Sequence, residues 1–285
     1  MLACVHVNPS FDRSALPYWD ARAAGWNIAP PLAPGAEDVR FYEECASRTR
    51  DATGALDALL LGVTAPIAAM GWPAGTRLVA LDWSAGMLRN VWPRERVPHG
   101  ARALRGDWRE IPLRDACIDF AIGDGCYSTF ADLRGPGDMN REIHRVIRPG
   151  GTFCLRCFRR PDIALVAEAL FEDLFAGRIR NLDLFRWLLA MALQGNDDRG
   201  VSLNRVWRAW HERVPDPGAH QARLAWSEAA LANLEVWSRL ESRYYFANLA
   251  ELRALAAPHF EIEACDVPRY EWGAQFPRLV MRRAR

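Results

Sequence analysis

Between residues 55 and 158 five short apolar runs recur, each ending near a turn signal: "ALDALLLG" (55–62), "TRLVALD" (76–82), "ARALRGD" (101–107), "CIDFAIGDG" (117–125) and "GTFCLRCF" (151–158). They are too brief for buried helices. Helix-length text alternates with them, notably "SAGMLRNVW" (84–92) and "DMNREIHRVIR" (138–148). Buried short strands alternating with helices need a parallel sheet with helices on both faces, because each crossover lays a helix on the sheet.

On either side of this block the pattern changes. The first fifty residues are rich in aromatics and prolines; "APPLAP" cannot be a central strand or a helix interior, so an arm leading into a short helix near 37–48 is expected. After "RRPD" the alternation stops. Ile163, Val166, Leu170 and Leu174 recur at helical spacing with Asp162 placed as N-cap, and helical text continues through "RVWRAWHERV" (205–214) and "SEAALANLEVWSRLESRYYF" (227–246). Strand-like text returns in "FEIEACDV" (260–267) and "FPRLVMRR" (276–283), joined by a loop long enough for an antiparallel pair. The expected plan is an arm and cap helix over 1–50, an α/β core over 51–160, a helical insertion over 161–250 capping a substrate site, and a last helix and two strands over 251–285.

Composition excludes several classes. The 285 residues are half hydrophobic and a quarter charged, with a formal charge of +1, and the arginines are scattered. That gives no electrostatic footprint for nucleic acid. The chain has no lysine, which rules out Schiff-base chemistry and the phosphate-loop lysine. "WLLAMAL" (187–193) is too short to span a bilayer. "MLACVHVNPSFDR" lacks the basic start and apolar core of a signal peptide, so a cytoplasmic place is expected. The seven cysteines are scattered. Two of them form "CLRC" (154–157), but in a strand residues three apart face opposite sides, so neither a metal nor a redox pair is expected.

The stretch "LLLGVTAPIAAM" (59–70) reads as the strand, turn and helix that open a nucleotide-binding half-sheet. Only Gly62 stands where such turns carry three glycines; Thr64 and Pro66 fall at the other places, and Leu60 stands two residues before Gly62. Asp82 ends the second run twenty residues after Gly62. An acid there accepts hydrogen bonds from ribose hydroxyls, although "DWS" also suits a helix cap.

With these features in place, "VALDWSAGML", "GDWREIPLRDACIDFAI" and "REIHRVIRPGGTF" appear in the order and spacing of a known set of blocks. The chain resembles the class I S-adenosylmethionine-dependent methyltransferases over roughly 55–158, and more loosely in its last two strands. That resemblance implies a doubly wound, Rossmann-like α/β fold: seven strands, mostly parallel with an antiparallel C-terminal strand, plus the helical insertion. It implies S-adenosyl-L-methionine as cofactor; with no basic face and no long apolar stretch, a small-molecule substrate is expected, with no nucleic-acid or membrane partner, and the oligomeric state is left open. By position it implies that Gly62, Val63 and Thr64 hold the methionine end, that Asp82 binds the ribose with Trp83 near the adenine, and that Asp107 accepts from the adenine amino group beside Trp108. Gly123, Asp124, Gly125 and Cys126 would line the passage from the cofactor sulfur to the substrate. Trp83 and Trp108 also read as core residues, and "GDG" as a turn.

A dinucleotide needs the second glycine for close approach of a pyrophosphate. S-adenosylmethionine has none, so a glycine-poor turn disfavours the dinucleotide more. Thr64 can supply a hydroxyl or cap the following helix, and Pro66 suits its first turn. The sulfonium methyl is already activated, which leaves positioning and water exclusion to the protein. Asp124 and Tyr127 lie nearest the methyl passage and are the candidate bases; His144 falls on a helix face turned away. Substrate contacts are expected from Tyr18, Trp19, Trp26, Phe41 and Tyr42 in the arm and from Trp207, Trp210 and His211 in the insertion, where ring faces suit planar or cationic ligands. Packing of the cap is the competing role for each ring. Three other readings stand beside methyl transfer: different chemistry on the same scaffold, with Asp124 as an unusual charge; a nicotinamide oxidoreductase; and a non-catalytic partner protein on a decayed fold.

Overall fold

A computed structural model describes residues 16–284. The seven expected strands are present: β1 (Asp57–Leu61), β2 (Arg77–Asp82), β3 (Arg102–Arg105), β4 (Ile118–Asp124), β5 (Ile147–Arg156) and, near the end, Glu261–Asp266 and Arg278–Arg282. A two-residue ladder inside the insertion pairs β6 (Val201–Ser202) with β7 (Arg243–Tyr244), so the last two strands are β8 and β9. The main sheet runs β3-β2-β1-β4-β5-β9-β8. β9 is antiparallel to both of its neighbours, and the other pairings are parallel.

Period-two alternation splits the central strands between two cores. Ala58, Leu60, Phe120, Ile122 and Cys154 pack under α2 (Ala36–Thr53), α3 (Ala65–Ala68) and α4 (Ala85–Asn90). Leu59, Leu61, Ala121, Phe153 and Leu155 pack under α5 (Arg134–Val146) and α11 (Leu249–Ala256). Cys157 joins the second core, opposite Cys154, as strand geometry requires.

The insertion has a core of its own, built by α6 (Ala167–Phe175), α7 (Leu182–Gln194), α8 (Leu203–Arg213), α9 (Gly218–Leu224) and α10 (Glu228–Glu235). Leu32 of the arm, Phe158 and Phe276 close it against the sheet domain.

Four local expectations are corrected. α6 begins after Val166, not after Asp162, and Ile163 and Val166 are exposed, so the helical spacing there marks no buried face. The helix expected over 227–246 stops at Glu235, where a 3₁₀ turn follows and Arg243 joins the β6–β7 ladder. The helix expected over 138–148 covers 134–146, because Ile147 turns extended and starts β5 four residues ahead of the run that marked it. The arm holds a helix, α1 (Leu16–Ala24), ahead of the proline segment, and α2 runs to Thr53, five residues beyond the helix expected to end at 48. Among the described residues no helix is long and apolar enough to cross a membrane.

Candidate active site

The C-terminal ends of β1, β2 and β4 open onto one cavity of about 480 Å³. It lies at the point where the strand order reverses, the position at which open α/β sheets bind ligands. Its volume falls within the range of ligand sites, roughly 300–1,000 Å³.

Gly62 leaves β1 with φ +81°, a conformation glycine adopts without strain, and its N–H reaches the Leu81 carbonyl at 2.8 Å. A β-carbon there would sit 3.3 Å from the Trp108 ring, which leans over the turn while its Nε1 donates to the Leu81 carbonyl at 2.7 Å. Thr64 is the N-cap of α3 by position, yet its hydroxyl caps nothing and the residue lines the cavity.

Asp82 is the electrostatic centre of this end. One carboxylate oxygen accepts from the Val63 N–H and the other from the Ser84 N–H, both at 2.8 Å. Only 5% of the residue is exposed. Burial pushes its pKa up to about 6, against these backbone bonds. The cap of α4 is Ser84, whose Oγ accepts from the Met87 N–H at 3.1 Å, so capping is not the role of Asp82.

Asp107 also lines the cavity, but Arg109 holds it: the Arg109 Nη2 lies 2.7 Å from one carboxylate oxygen, and the Arg109 N–H and Nε both donate to the other. An adenine amino group would share this carboxylate with Arg109. Phe130 completes the wall, edge-on to Trp108 at 6.3 Å and locked by Gly135, where a β-carbon would fall 2.1 Å from its ring.

Asp124 ends β4 in the cavity wall and is paired in two places with the fully buried Arg156 of β5, at 2.5 Å to Nε and 3.1 Å to Nη2. Burial pushes the Asp124 carboxyl up and the Arg156 guanidinium pulls it back. With both oxygens held, Asp124 acts as an anchor, not as a free base. Arg156 also donates to the carbonyls of Pro31 and Leu32 and to the Tyr270 hydroxyl, tying the arm to the sheet end.

Of the predicted residues, Gly62, Val63, Thr64, Asp82, Trp83, Asp107, Trp108, Asp124 and Gly125 line the cavity, with Trp19 and Trp26 of the arm facing them. The two arm indoles lie 6.2 Å apart. Gly123, Cys126 and Tyr127 do not line it. A β-carbon on Gly123 would meet the Cys126 sulfur at 2.8 Å, and burial pushes that thiol up. The Tyr127 hydroxyl donates to Asn140 at 2.6 Å inside the core, and burial pushes the phenol up, so it is no candidate base.

Five further expected substrate contacts lie elsewhere. Tyr42 is fully buried between α2 and the sheet, and Trp210 is fully buried in the insertion. Trp207 stacks on His211 at 5.0 Å on α8, donating its N–H to Glu235. Both rings of that stack are outside the cavity lining, one position on from the buried Val206 and Trp210 of α8, with Trp207 packed against the insertion core. Phe41 packs beneath Arg278, 4.5 Å from its guanidinium, also off the cavity. Tyr18 carries a side chain outside the described residues.

Sequence reading missed Arg156, Arg186, Trp187, Ser242 and Tyr244. Arg156 had a signal: a charge in the middle of the apolar run "TFCLRCF", where a buried cation must find partners. The others had none, since they reach the cavity through tertiary packing of the insertion.

These residues fit S-adenosylmethionine. A buried carboxylate bonded, among the described residues, by backbone N–H groups, facing a cavity of ligand size beside a glycine turn, is an acceptor set for a diol. A methyltransferase domain model matches residues 61–155. Fold and match together define a class I S-adenosylmethionine-dependent methyltransferase domain, with S-adenosylmethionine as its cofactor.

Among characterised proteins the chain is similar to the malonyl-[acyl-carrier protein] O-methyltransferase of Pectobacterium atrosepticum, 34% identical over 34% of this chain and 36% of that one. It is also similar to the demethylmenaquinone methyltransferase of Mycolicibacterium paratuberculosis, 31% identical over 56% of this chain and 63% of that one. The chain thus spans between about a third and two thirds of the length of these relatives. Among solved structures, a Rhodobacter sphaeroides protein described as a zinc-dependent alcohol dehydrogenase aligns with TM-score 0.61 and 12% identity, covering 97% of this chain and all of that one. The N-methyltransferase NodS of Bradyrhizobium japonicum aligns with TM-score 0.52 and 10% identity, covering 95% and 100%. At such identities the likeness is one of fold.

Proposed function

We propose that the protein transfers the methyl group of S-adenosylmethionine to a small molecule held between the sheet end and the helical insertion. The observation that carries this is Asp82: a buried carboxylate at the end of β2, lining the cavity beside the Gly62 turn, with backbone donors as its hydrogen-bond partners. When bound, the cofactor supplies an activated methyl group. Asp82 would accept from its ribose hydroxyls, and the Gly62–Thr64 turn, with a Thr64 hydroxyl that makes no cap bond, would hold its amino-acid end. Trp83 and Trp108 flank the adenine.

The insertion acts as a cap. Phe158, Trp187 and Tyr244 on one side and Trp19, Trp26 and Ile28 on the other wall the space beyond Asp124, and their apolar surface excludes water from the transfer path. The Asp124–Arg156 pair keeps the wall of that path rigid and neutral. It also removes the unusual negative charge that favoured a different chemistry on the same scaffold. Both named relatives are methyltransferases, and demethylmenaquinone, in the name of one, is a small molecule.

The test is formation of S-adenosylhomocysteine when the protein and S-adenosylmethionine are given separately the small-molecule, protein and RNA fractions of a cell extract. Product is expected with the small-molecule fraction. Product only with the protein or RNA fraction would overturn the substrate reading.

A further inference from the structure

We propose that Asp20 is a positioning residue for the cofactor site, coupling closure of the arm to binding of S-adenosylmethionine; this deepens the methyltransferase reading above and rests on it. Through Ser84, Asp20 orients the segment that carries Asp82. Through α1 it seats the arm, whose Trp19 and Trp26 line the same cavity as Asp82 and Trp83.

The connection is a short chain of hydrogen bonds. The Ser84 hydroxyl donates to Asp20 Oδ1 at 2.6 Å, and the Gly86 N–H donates to the same oxygen at 2.7 Å. Ser84 is wholly buried. Its N–H donates to Asp82, its Oγ accepts from the Met87 N–H, and its hydroxyl proton goes to Asp20. One serine thus joins the ribose-binding acid to a residue 64 positions earlier in the chain. The bonds from Ser84 and Gly86 hold the Asp20 carboxyl below its usual range, so the acceptor is ionised at neutral pH and the bonds to it are charge-assisted.

The backbone is shaped for the same contact. A β-carbon on Gly86 would fall 2.8 Å from the Asp20 Cα and 2.9 Å from its carbonyl oxygen. Glycine weakens a helix relative to alanine, so α4 by itself gains nothing from one; the gain is the close approach of α1. That approach places the neighbours of Asp20. Trp19 packs against both the sheet core and the insertion core, and Trp26, 6.2 Å from it, packs on the sheet core. Further along, the arm is tied to other elements. The Asn233 side chain donates to the Asn27 carbonyl at 3.3 Å, that of Asn181 to the Pro30 carbonyl at 2.9 Å, and Arg156 to those of Pro31 and Leu32. The arm is a strap across the cavity, and Asp20 fastens it on the cofactor side. A site that is complete only with the strap seated binds in proportion to the seated fraction. By linkage, the cofactor must hold the strap down by the same factor.

The test combines calorimetric titration of the full chain with S-adenosylhomocysteine and limited proteolysis of the arm with and without that ligand. Asp20→Ala is expected to weaken binding about fivefold. Asp20→Asn, whose amide oxygen accepts both bonds, should recover most of that loss. Gly86→Ala touches no hydrogen-bonding group and improves α4 as a helix, yet it wedges α1 away; it should weaken binding to a similar degree while the urea midpoint of the sheet core holds. In the wild type the ligand should slow cleavage of the arm about fivefold, matching the affinity lost in Asp20→Ala. Unchanged affinity in Asp20→Ala and Gly86→Ala, an equal loss in Asp20→Asn and Asp20→Ala, or arm cleavage indifferent to the ligand would overturn the coupling. So would affinities that follow the urea midpoint across the three variants, which would reduce Asp20 to a packing contact. A folded wild-type chain that binds no S-adenosylhomocysteine would overturn the methyltransferase reading and this proposal with it, whereas binding that ignores the variants overturns the proposal alone.

Discussion

On one side of the cavity Gly62, Asp82, Asp107 and Asp124 follow the ends of consecutive strands; on the other, Trp19, Trp26, Phe158, Arg186 and Ser242 come from separate stretches of chain. The first side is held by backbone geometry: parallel registers bring Leu61 beside Leu81 and Gly123, and each acid is placed by the strand it ends. The second is held by side-chain packing: the insertion has a core of its own, while Trp26 packs on the sheet core and Trp19 bridges the two. What the contrast teaches is that the cofactor end should tolerate damage to the insertion, whereas the substrate end depends on every contact that seats it.

The link between the two sides is Arg156, so breaking it should have the largest effect. Arg156→Met leaves Asp124 buried without its cation, leaves Asp38 with Arg278 alone, and frees the Pro31 and Leu32 carbonyls. A loss of about 3–5 kcal/mol is expected in urea unfolding, as for other broken buried pairs. A loss below about 1 kcal/mol, the range of surface pairs, would show that the network is not what joins the arm to the sheet.

Phe185→Ala attacks the insertion alone. Phe185 is fully buried against Phe171 and Trp210, with ring centroids 5.1 and 5.9 Å away. About 3–5 kcal/mol should be lost, with binding of S-adenosylhomocysteine intact at low temperature. If cofactor binding falls in parallel with stability, the two sides are one cooperative unit and the contrast fails.

The pH dependence probes the cofactor side. Burial raises the folded pKa of Asp82 to about 6, above its unfolded value of about 3.9. A raised carboxyl takes up a proton in the folded chain first, so its contribution to stability falls as pH rises between these values. Binding moves the other way. Ribose hydroxyls donate to the ionised form, so affinity for S-adenosylhomocysteine should drop as pH falls below about 6 and level off above it. Calorimetry in buffers between pH 5 and 8 reads this, and a flat profile identical to that of Asp82→Asn would contradict it.

The smallest effect concerns the arm. Asp20 of α1 accepts from the Ser84 hydroxyl and the Gly86 N–H, which hold its carboxyl below the usual range. Asp20→Ala should cost about 1 kcal/mol, seen as faster protease cleavage in the arm while the sheet core stays intact.

Legibility in the sequence follows the same divide. Strand ends could be read because period and turn residues mark them: Gly62 and Asp82 fall on the cavity where the spacing put them, and Asp107 where the resemblance put it. Tyr42, Trp207, Trp210 and His211 do not, because an aromatic in a helix reports burial of a face and not which neighbour covers it. Val206 and Trp210 are buried in the insertion core, Trp207 packs against the same core, and neither Trp207 nor His211 reaches the cavity lining. Ile163 and Val166 show the same weakness at short range, helical spacing without a helix. Arg156 was legible in principle, as a charge in an apolar strand. Arg186 and Ser242 were not, since their places depend on how the insertion folds back.

The central claim is that Asp82 holds the cofactor, and calorimetric titration with S-adenosylhomocysteine at neutral pH, wild type against Asp82→Ala, tests it most directly. Micromolar binding that weakens by about a hundredfold or more in the variant, the worth of two hydrogen bonds to a charged acceptor, is predicted. A folded wild-type chain that binds nothing, or a variant that binds as well, would contradict the account.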